Sequence, residues 1–487
     1  MTKKPLIPHS VLAFCISALC IATAVHAAAI DAMTATPNVS MLSLSARQRY
    51  PWNGKVDIDF SFSCDIPDAC AFIQFSATYV DGAGVTKTVP MNTFDQVTLP
   101  WCTNAGTYRV TWDSTADAPD LQVTNLTYTV TANMAKYMVV NLETGAITYM
   151  QESPDPTRTD GGWTDEYKTT KMVFRLVQPG ISTQGWSDNV FKDWNCGGVV
   201  SITFARPFYL AIFECTQGQA KLLNGGSYFG SQATEFTGGK RDMRPVSSAS
   251  WNAWRGNAAD GYCWPNDGSK VNPNSLIGKL RALTGCDLFD MPTESEWEYA
   301  ARAGATDAWG GDGLENTRNK GTGVSSPTGP TCYNTNTVLT AKARYRFNGG
   351  YIDNGYGTLS APAYTCDETH GTAVVGSYAP NAWGFYDMQG NVRECTLDYF
   401  PSAELSSCNR IDCIAGDTTD PVGYTANADN YRKTDILRVA RGGHWDTTAM
   451  ECAFPYRCGG DNYVPNGYRA WSQIYGCRIA WRFPYKP

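Results

Sequence analysis

Histidine is scarce in this chain. Four occur in 487 residues, and His9 and His26 fall in a leader-like start, which leaves His370 and His444 for any site. A three-histidine iron centre cannot be built from two, and a zinc site made mainly of imidazoles is excluded as well. Basic blocks are also missing. The 39 Lys and Arg face 46 Asp and Glu, for a formal net charge of −7, so the chain is a poor partner for nucleic acid. Past the start, no apolar run has the length of a membrane helix. Internal repeats and low-complexity tracts are absent too, which argues against a solenoid.

What is present begins with a leader pattern. Lys3 and Lys4 precede the apolar stretch Val11–Val25, and Val25-His26-Ala27 supplies a small-residue exit site. The pattern predicts a signal peptide over residues 1–27 and a secreted, periplasmic or cell-envelope protein. Export sets the redox context. Of the seventeen cysteines, Cys15 and Cys20 leave with the leader, and the number that remains is odd. Disulfides are the default in an oxidising compartment, with at least one thiol left buried, reactive or joined to another chain.

The length calls for two or more domains. Over residues 29–135, Val56, Ile58, Phe60 and Phe62 alternate with polar residues. Tyr108, Val110 and Trp112 repeat the pattern, as do Leu126, Tyr128 and Val130. Short strands of this kind, separated by Gly- and Asn-bearing turns, predict an immunoglobulin-like β-sandwich. One staple is expected among Cys64, Cys70 and Cys102. Residues 136–184 read as a linker with strands at 137–142 and 172–176. The second domain spans 185–487. Its clearest helix runs from Pro292 to Arg302, with Thr293 and Glu296 in capping-box spacing. A shorter helix over 275–284 is stopped by Gly285. Loops rich in Gly, Asn, Tyr and Trp fill the remainder and must be pinned by disulfides, ions or aromatic packing.

Six strings stand in order along that second domain: RPFYLAIFECT (206–216), RPVSSASW (244–251), DMPTESEWEYAARAG (290–304), VGSYAPNAWGFYDMQGNVRECTLDY (375–399), RVARGGHWD (438–446) and YGCRIAWR (475–482). Together they resemble the sulfatase-modifying factor family, to which the formylglycine-generating enzymes belong. The resemblance implies an α+β, C-type-lectin-like fold. It also implies calcium and copper.

The segment Gln389–Glu394 places a carboxylate just after a glycine turn, an arrangement that suits a hard cation. On the resemblance, the calcium ligands are the carbonyls of Gln389, Gly390 and Val392 and the side chain of Glu394. The other reading makes Glu394 a loop cap or the partner of a base. A second calcium site of the family maps to Asp367 and Thr369, but its asparagine ligand aligns with Arg344, which cannot coordinate a cation. The family's copper(I) site uses two cysteines soon after the RGG motif, because soft thiolates suit that ion. Here the first position falls on Thr447 or Thr448, and Cys452 lies near the second. Cys452 and Cys458 are the remaining catalytic candidates, as a shifted copper pair or as a disulfide. His444 beside them is a third ligand, a base or a hydrogen-bonded loop residue. Glu294, Glu296 and Glu298 are assigned no catalytic role.

Aromatic residues crowd the C-terminal stretch: Trp445, Phe454, Tyr456, Tyr463, Tyr468, Trp471, Tyr475 and Trp481. Mixed with Asn, Gly and Ser, they make an adaptable binding face, with Trp445 and Trp481 expected in the core. The layout also resembles the variable ends of retroelement-diversified binding proteins. Two functions follow. One is an exported, calcium-stabilised module that binds a protein or peptide ligand. The other is a copper-dependent oxidase that converts a substrate cysteine, as in sulfatases, to formylglycine.

Overall fold

The computed structural model describes residues 39–155, 163–186, 198–229, 240–310, 337–360, 371–399, 418–423, 437–461 and 475–482, apart from short breaks within some of these stretches. The leader, Asp367, Thr369, Thr448, Tyr463, Tyr468 and Trp471 lie outside the described residues, as do the side chains of Cys70 and Cys102. The chain divides into two compact units, one through Lys136 with 149–151 and one comprising 137–148 and 152–487.

The first unit is β apart from a helical turn at Ser114–Asp117. Strands β1 (Val39–Gln48), β2 (Lys55–Cys64) and β6 (Gly106–Asp113) form one antiparallel sheet. In the other, β3 (Cys70–Val80) pairs with β4 (Thr86–Val89), β5 (Trp101–Asn104) and β7 (Thr127–Met134). Strand alternation decides what is inside. Val56, Ile58, Phe60 and Phe62 of β2 meet Ile73, Ala77, Val110, Trp112 and Val130 in a single core. Phe60 contacts Phe75 edge-on at 5.7 Å between ring centroids, and Tyr108 stacks on Phe60 at the same separation.

In the second unit, the strands at the start of the stretch read as a linker belong to the central sheet. Its order is β14 (Phe289–Asp290), β21 (Ala480–Trp481), β13 (Phe208–Ala211), β10 (Lys171–Val177), β8 (Tyr137–Asn141) and β9 (Ile147–Met150), of which 147–148 belong to this unit. Strand β10 buries Met172, Val173, Phe174, Leu176 and Val177, with Lys171 and Arg175 half-buried. Strands β11 (Gly180–Trp186) and β12 (Gly198–Phe204) form a separate pair, as do β15 (Ile352–Asp353) and β16 (Leu359–Ser360). A further sheet orders β19 (Cys458–Asp461), β18 (Leu437–Arg441), β17 (Arg393–Tyr399) and β20 (Tyr475–Gly476).

The α-helices of the described residues are short, and several start at a side-chain cap. Thr293 and Glu296 close the capping box of helix Glu294–Arg302. Ser275 caps helix Leu276–Thr284, which ends at Gly285 in the left-handed region. Trp297, Ala300 and Ala301 of the first of these helices are fully buried.

Candidate functional site

The loops at one end of the β17–β18 pair bring most of the candidate residues together. Glu394 of β17 sits in register with Arg441 of β18. The turn before β17 meets the loop after β18. Gly390 donates its N–H to the Gly442 carbonyl at 2.6 Å, and Trp445 donates to the Asn391 carbonyl at 2.9 Å. The Gln389 amide donates to the Cys452 carbonyl at 3.1 Å. Gly443 adopts a φ of 72°. A Cβ there would stand 2.8 Å from the Cys452 sulfur and 2.9 Å from Thr447 Oγ1. Glycine therefore lets this loop lie directly on a threonine–cysteine pair.

That pair occupies the ground expected for copper. Thr447 Oγ1 lies 3.6 Å from Cys452 Sγ. The hydroxyl accepts the His444 N–H and donates to the His444 carbonyl, each at 2.8 Å. His444 is buried, with its ring edge-to-face to Trp445 at 6.4 Å. Cys452 is a fully buried free thiol, and burial pushes it up to about 12. It stays protonated at neutral pH. Cys458 belongs to a different cluster. Its sulfur accepts from Arg393 Nη1 at 3.1 Å and lies 4.0 Å from the Tyr475 hydroxyl, while Arg393 also pairs with Glu451. The disulfide weighed between Cys452 and Cys458 is thus not formed. A hard hydroxyl beside a single thiol is not a pair of soft copper(I) donors, and these residues do not fit the ion. Among the described residues, no group of three or more His, Cys, Asp or Glu is arranged to hold a metal.

The calcium expectation meets a carboxylate that already has partners. Glu394 is buried, and it accepts from Arg478 Nη2 at 2.8 Å, from Arg478 Nε at 3.2 and 3.0 Å, and from Trp297 Nε1 at 2.8 Å. Glu394 is thus the partner of a base, the other reading weighed for it. At the second mapped site, Arg344 Nε donates to the Gly371 carbonyl at 2.9 Å.

Two buried acids beside Glu394 escaped the sequence reading. Glu214 accepts from Asn391 Nδ2 at 2.6 Å and from the Val392 N–H at 3.0 Å. Asp387 accepts from the Gly376 N–H at 2.6 Å through Oδ2, and its Oδ1 has no hydrogen-bond partner. Burial pushes both carboxyls up, Asp387 to about 6, and the neighbouring carboxylates add to the shift. A signal was available in the sequence. Glu214 interrupts an apolar stretch, and a charge inside such a stretch must find a partner.

The acids of helix Glu294–Arg302 are held in ion pairs. Glu294 is bound by Arg457, Nη2 to Oε2 at 2.8 Å. Glu298 accepts from Arg302 at 2.9 Å, from the Gly185 N–H at 2.9 Å and from Arg441. Glu296 pairs with Arg482 at 3.2 Å. Trp445 and Trp481 are buried, and so is Phe454. The described part of the aromatic stretch is therefore largely interior.

Comparison with known proteins agrees with the motif order. The sulfatase-modifying factor enzyme 1-like domain matches residues 164–482. Over 128 residues the chain is 31% identical to a formylglycine-generating enzyme of Thermomonospora curvata, covering 25% of this chain and 32% of that one. The match thus spans about a third of that relative. Variable protein 1 of Treponema denticola is similar in structure, at a TM-score of 0.40 and 19% identity, over 64% of this chain and 96% of that one. PvdO from Pseudomonas aeruginosa is similar at a TM-score of 0.40 and 19% identity, over 66% and 97%. Matched from residue 164 to 482, the chain belongs to the sulfatase-modifying factor family.

Proposed function

We propose that the protein is an exported member of its family that binds a protein or peptide ligand and does not form formylglycine. Its first unit would serve as an immunoglobulin-like spacer or adhesion module. The observation that carries this reading is the pair Thr447 and Cys452. The hydroxyl beside the thiol is already engaged by the backbone of His444, and the thiol is fully buried. A thiol–oxygen chemistry built on two soft ligands has a poor one at Thr447.

The test is mass spectrometry on a CxPxR peptide incubated with the full chain, copper, oxygen and a reductant. An active formylglycine-generating enzyme is the positive control. The expected result is no thiol-to-aldehyde mass change, and no stoichiometric copper(I) retained against a chelator. Conversion that disappears in Cys452→Ala would overturn the reading in favour of the oxidase.

A further inference from the structure

We propose that Cys395 and Cys477 form a cross-strand disulfide when the chain folds in an oxidising medium. The medium follows from the export proposed above, whereas the pairing rests on strand register. Strands β17 and β20 run parallel, with Arg393 opposite Tyr475 and Glu394 opposite Gly476. The next rung sets Cys395 against Cys477. Neighbouring strands lie about 4.8 Å apart, inside the ~4.4–6.8 Å between Cα atoms that a disulfide spans. Residues of one rung point to one face of a sheet. That face carries Arg393 and Cys458, which meet at 3.1 Å, while Glu394 and Arg478 meet on the other at 2.8 Å. The Cys477 sulfur already lies 3.9 Å from the Cys395 carbonyl. Bonding needs Cβ atoms somewhat closer than the strand spacing, at ~3.8 Å. Because β20 ends at Gly476, Cys477 stands outside the ladder and its Cβ can draw in. Register also rules out a rival. Cys395 faces Ala440, and Ala440 faces Cys458, so Cys458 is two strands away and out of reach.

Both thiols are free in this structure, and both are buried. An oxidant in solution therefore meets them before the sheet closes. The oxidant is an external disulfide. One cysteine thiolate attacks it, giving a mixed disulfide and releasing one thiol, and the second cysteine then displaces the other half. Overall the two cysteines lose two hydrogens, and the external disulfide takes them up as two thiols. The staple has a use. Strand β20 is two residues long, too short a ladder to hold firmly by itself. Cys477 is followed at once by Arg478, the partner of Glu394. A bond to Cys395 fixes this C-terminal segment on β17. The two cysteines are 82 positions apart, and closing a long loop restricts the unfolded chain most.

Two measurements on the full chain decide this. The chain is made by cell-free synthesis, either in a glutathione redox buffer or in reductant alone. The soluble folded protein is then denatured, its free thiols are alkylated, and its peptides are mapped by mass spectrometry without reduction. In redox buffer the peptide holding Cys395 is expected joined to the one holding Cys477, two hydrogens lighter than their sum. Recovery of both peptides alkylated, or of either joined to another cysteine such as Cys215, would overturn the proposal. The second measurement is thermal unfolding of wild type, Cys395→Ala and Cys477→Ala, each made under both conditions. Wild type is expected to melt higher when made in redox buffer, by more than either variant does, and the two variants are expected to agree. Because each variant is compared with itself, the cost of the lost side chain cancels. An equal gain in all three would overturn the proposal. Synthesis outside a cell keeps both results independent of export, and a failed pairing leaves the binding-module reading untouched.

Discussion

In the first unit, ion pairs sit where water reaches them. The side chains of Arg109 and Asp59 are 52% and 33% exposed, and those of Lys55 and Asp113 are 24% and 20% exposed. In the second unit, Arg441 and Glu298 are 0% and 1% exposed. Every arginine buried among the described residues belongs to that unit. The difference follows from architecture. Seven strands in ladders satisfy each other's backbone groups, so the sandwich can be cored with apolar side chains such as Val, Ile, Phe and Trp. The second unit has long loops inside it, and loop carbonyls have no ladder partner. Arginine, with five donors on a planar fork, solves that problem. Arg441 caps the carbonyls of Pro455 and Tyr456 and Arg302 that of Asp307, while Arg438 and Arg302 also reach the strand carbonyls of Leu397 and Gly185. The carboxylates of one short helix then neutralise several of these cations.

The sharpest way to break the contrast is Arg441→Leu. It would leave Glu298 short of a cation and two buried carbonyls without a donor. Removing one partner of a buried pair typically costs about 3–5 kcal/mol. Urea unfolding followed by tryptophan fluorescence should show that loss in the transition of the second unit alone. A loss under about 1 kcal/mol would mean that the arginines fill space and do not organise the loops.

The next test has the opposite sign. Asp387 is raised from 3.8 to about 6, with burial as the first cause. The folded chain holds this proton more tightly than the unfolded chain, so the stability this group contributes is fully present below pH ~4 and is lost as pH rises towards ~6. Asp387→Asn keeps a carbonyl for the Gly376 N–H and removes the charge. It should flatten that limb and stabilise the protein at neutral pH by on the order of 2 kcal/mol. Melting temperatures at stepped pH values check it. A variant that is less stable than wild type at pH 7 would show that the carboxylate is favourably ionised.

How much of this was legible in the sequence follows the same divide. The sandwich could be read directly, because Val56, Ile58, Phe60 and Phe62 announce a face every second residue. The capping box at Thr293 and the stop at Gly285 were legible too, since both are local. The site was legible only in outline. The RGG loop and the Gln389–Glu394 turn were placed by motif order, and the threonine in place of a cysteine was visible. The partner of Glu394 was not. Arg478 lies 84 positions further on, and nothing local marks which base a buried acid will take. Glu214 and Asn391 meet across 177 positions. Pairings of that range are decided by the packing of loops, and periodicity does not reach them.

The smallest predicted effect lies on the exposed side of the comparison. Lys55 Nζ sits 2.7 Å from Asp113 and 2.8 Å from Asp95. With Lys55 as the leading cause, and help from Thr115 and the Ala116 N–H, Asp113 is lowered from 3.8 to about 2. The folded chain gives up this proton more readily than the unfolded one. Its contribution is complete above pH ~4 and is lost as pH falls through ~2, a slope opposite to that of Asp387. Because both side chains keep contact with water, solvent screening limits the contribution to about 1 kcal/mol or less. Lys55→Met should flatten the acid limb of the first unit's melting profile, and raised salt should shrink the wild-type slope towards the variant's. The second unit's limb, set by groups that salt does not reach, should hold its slope under the same salt. Equal salt sensitivity in both limbs would remove the distinction between a rim of paired charges and a core of them.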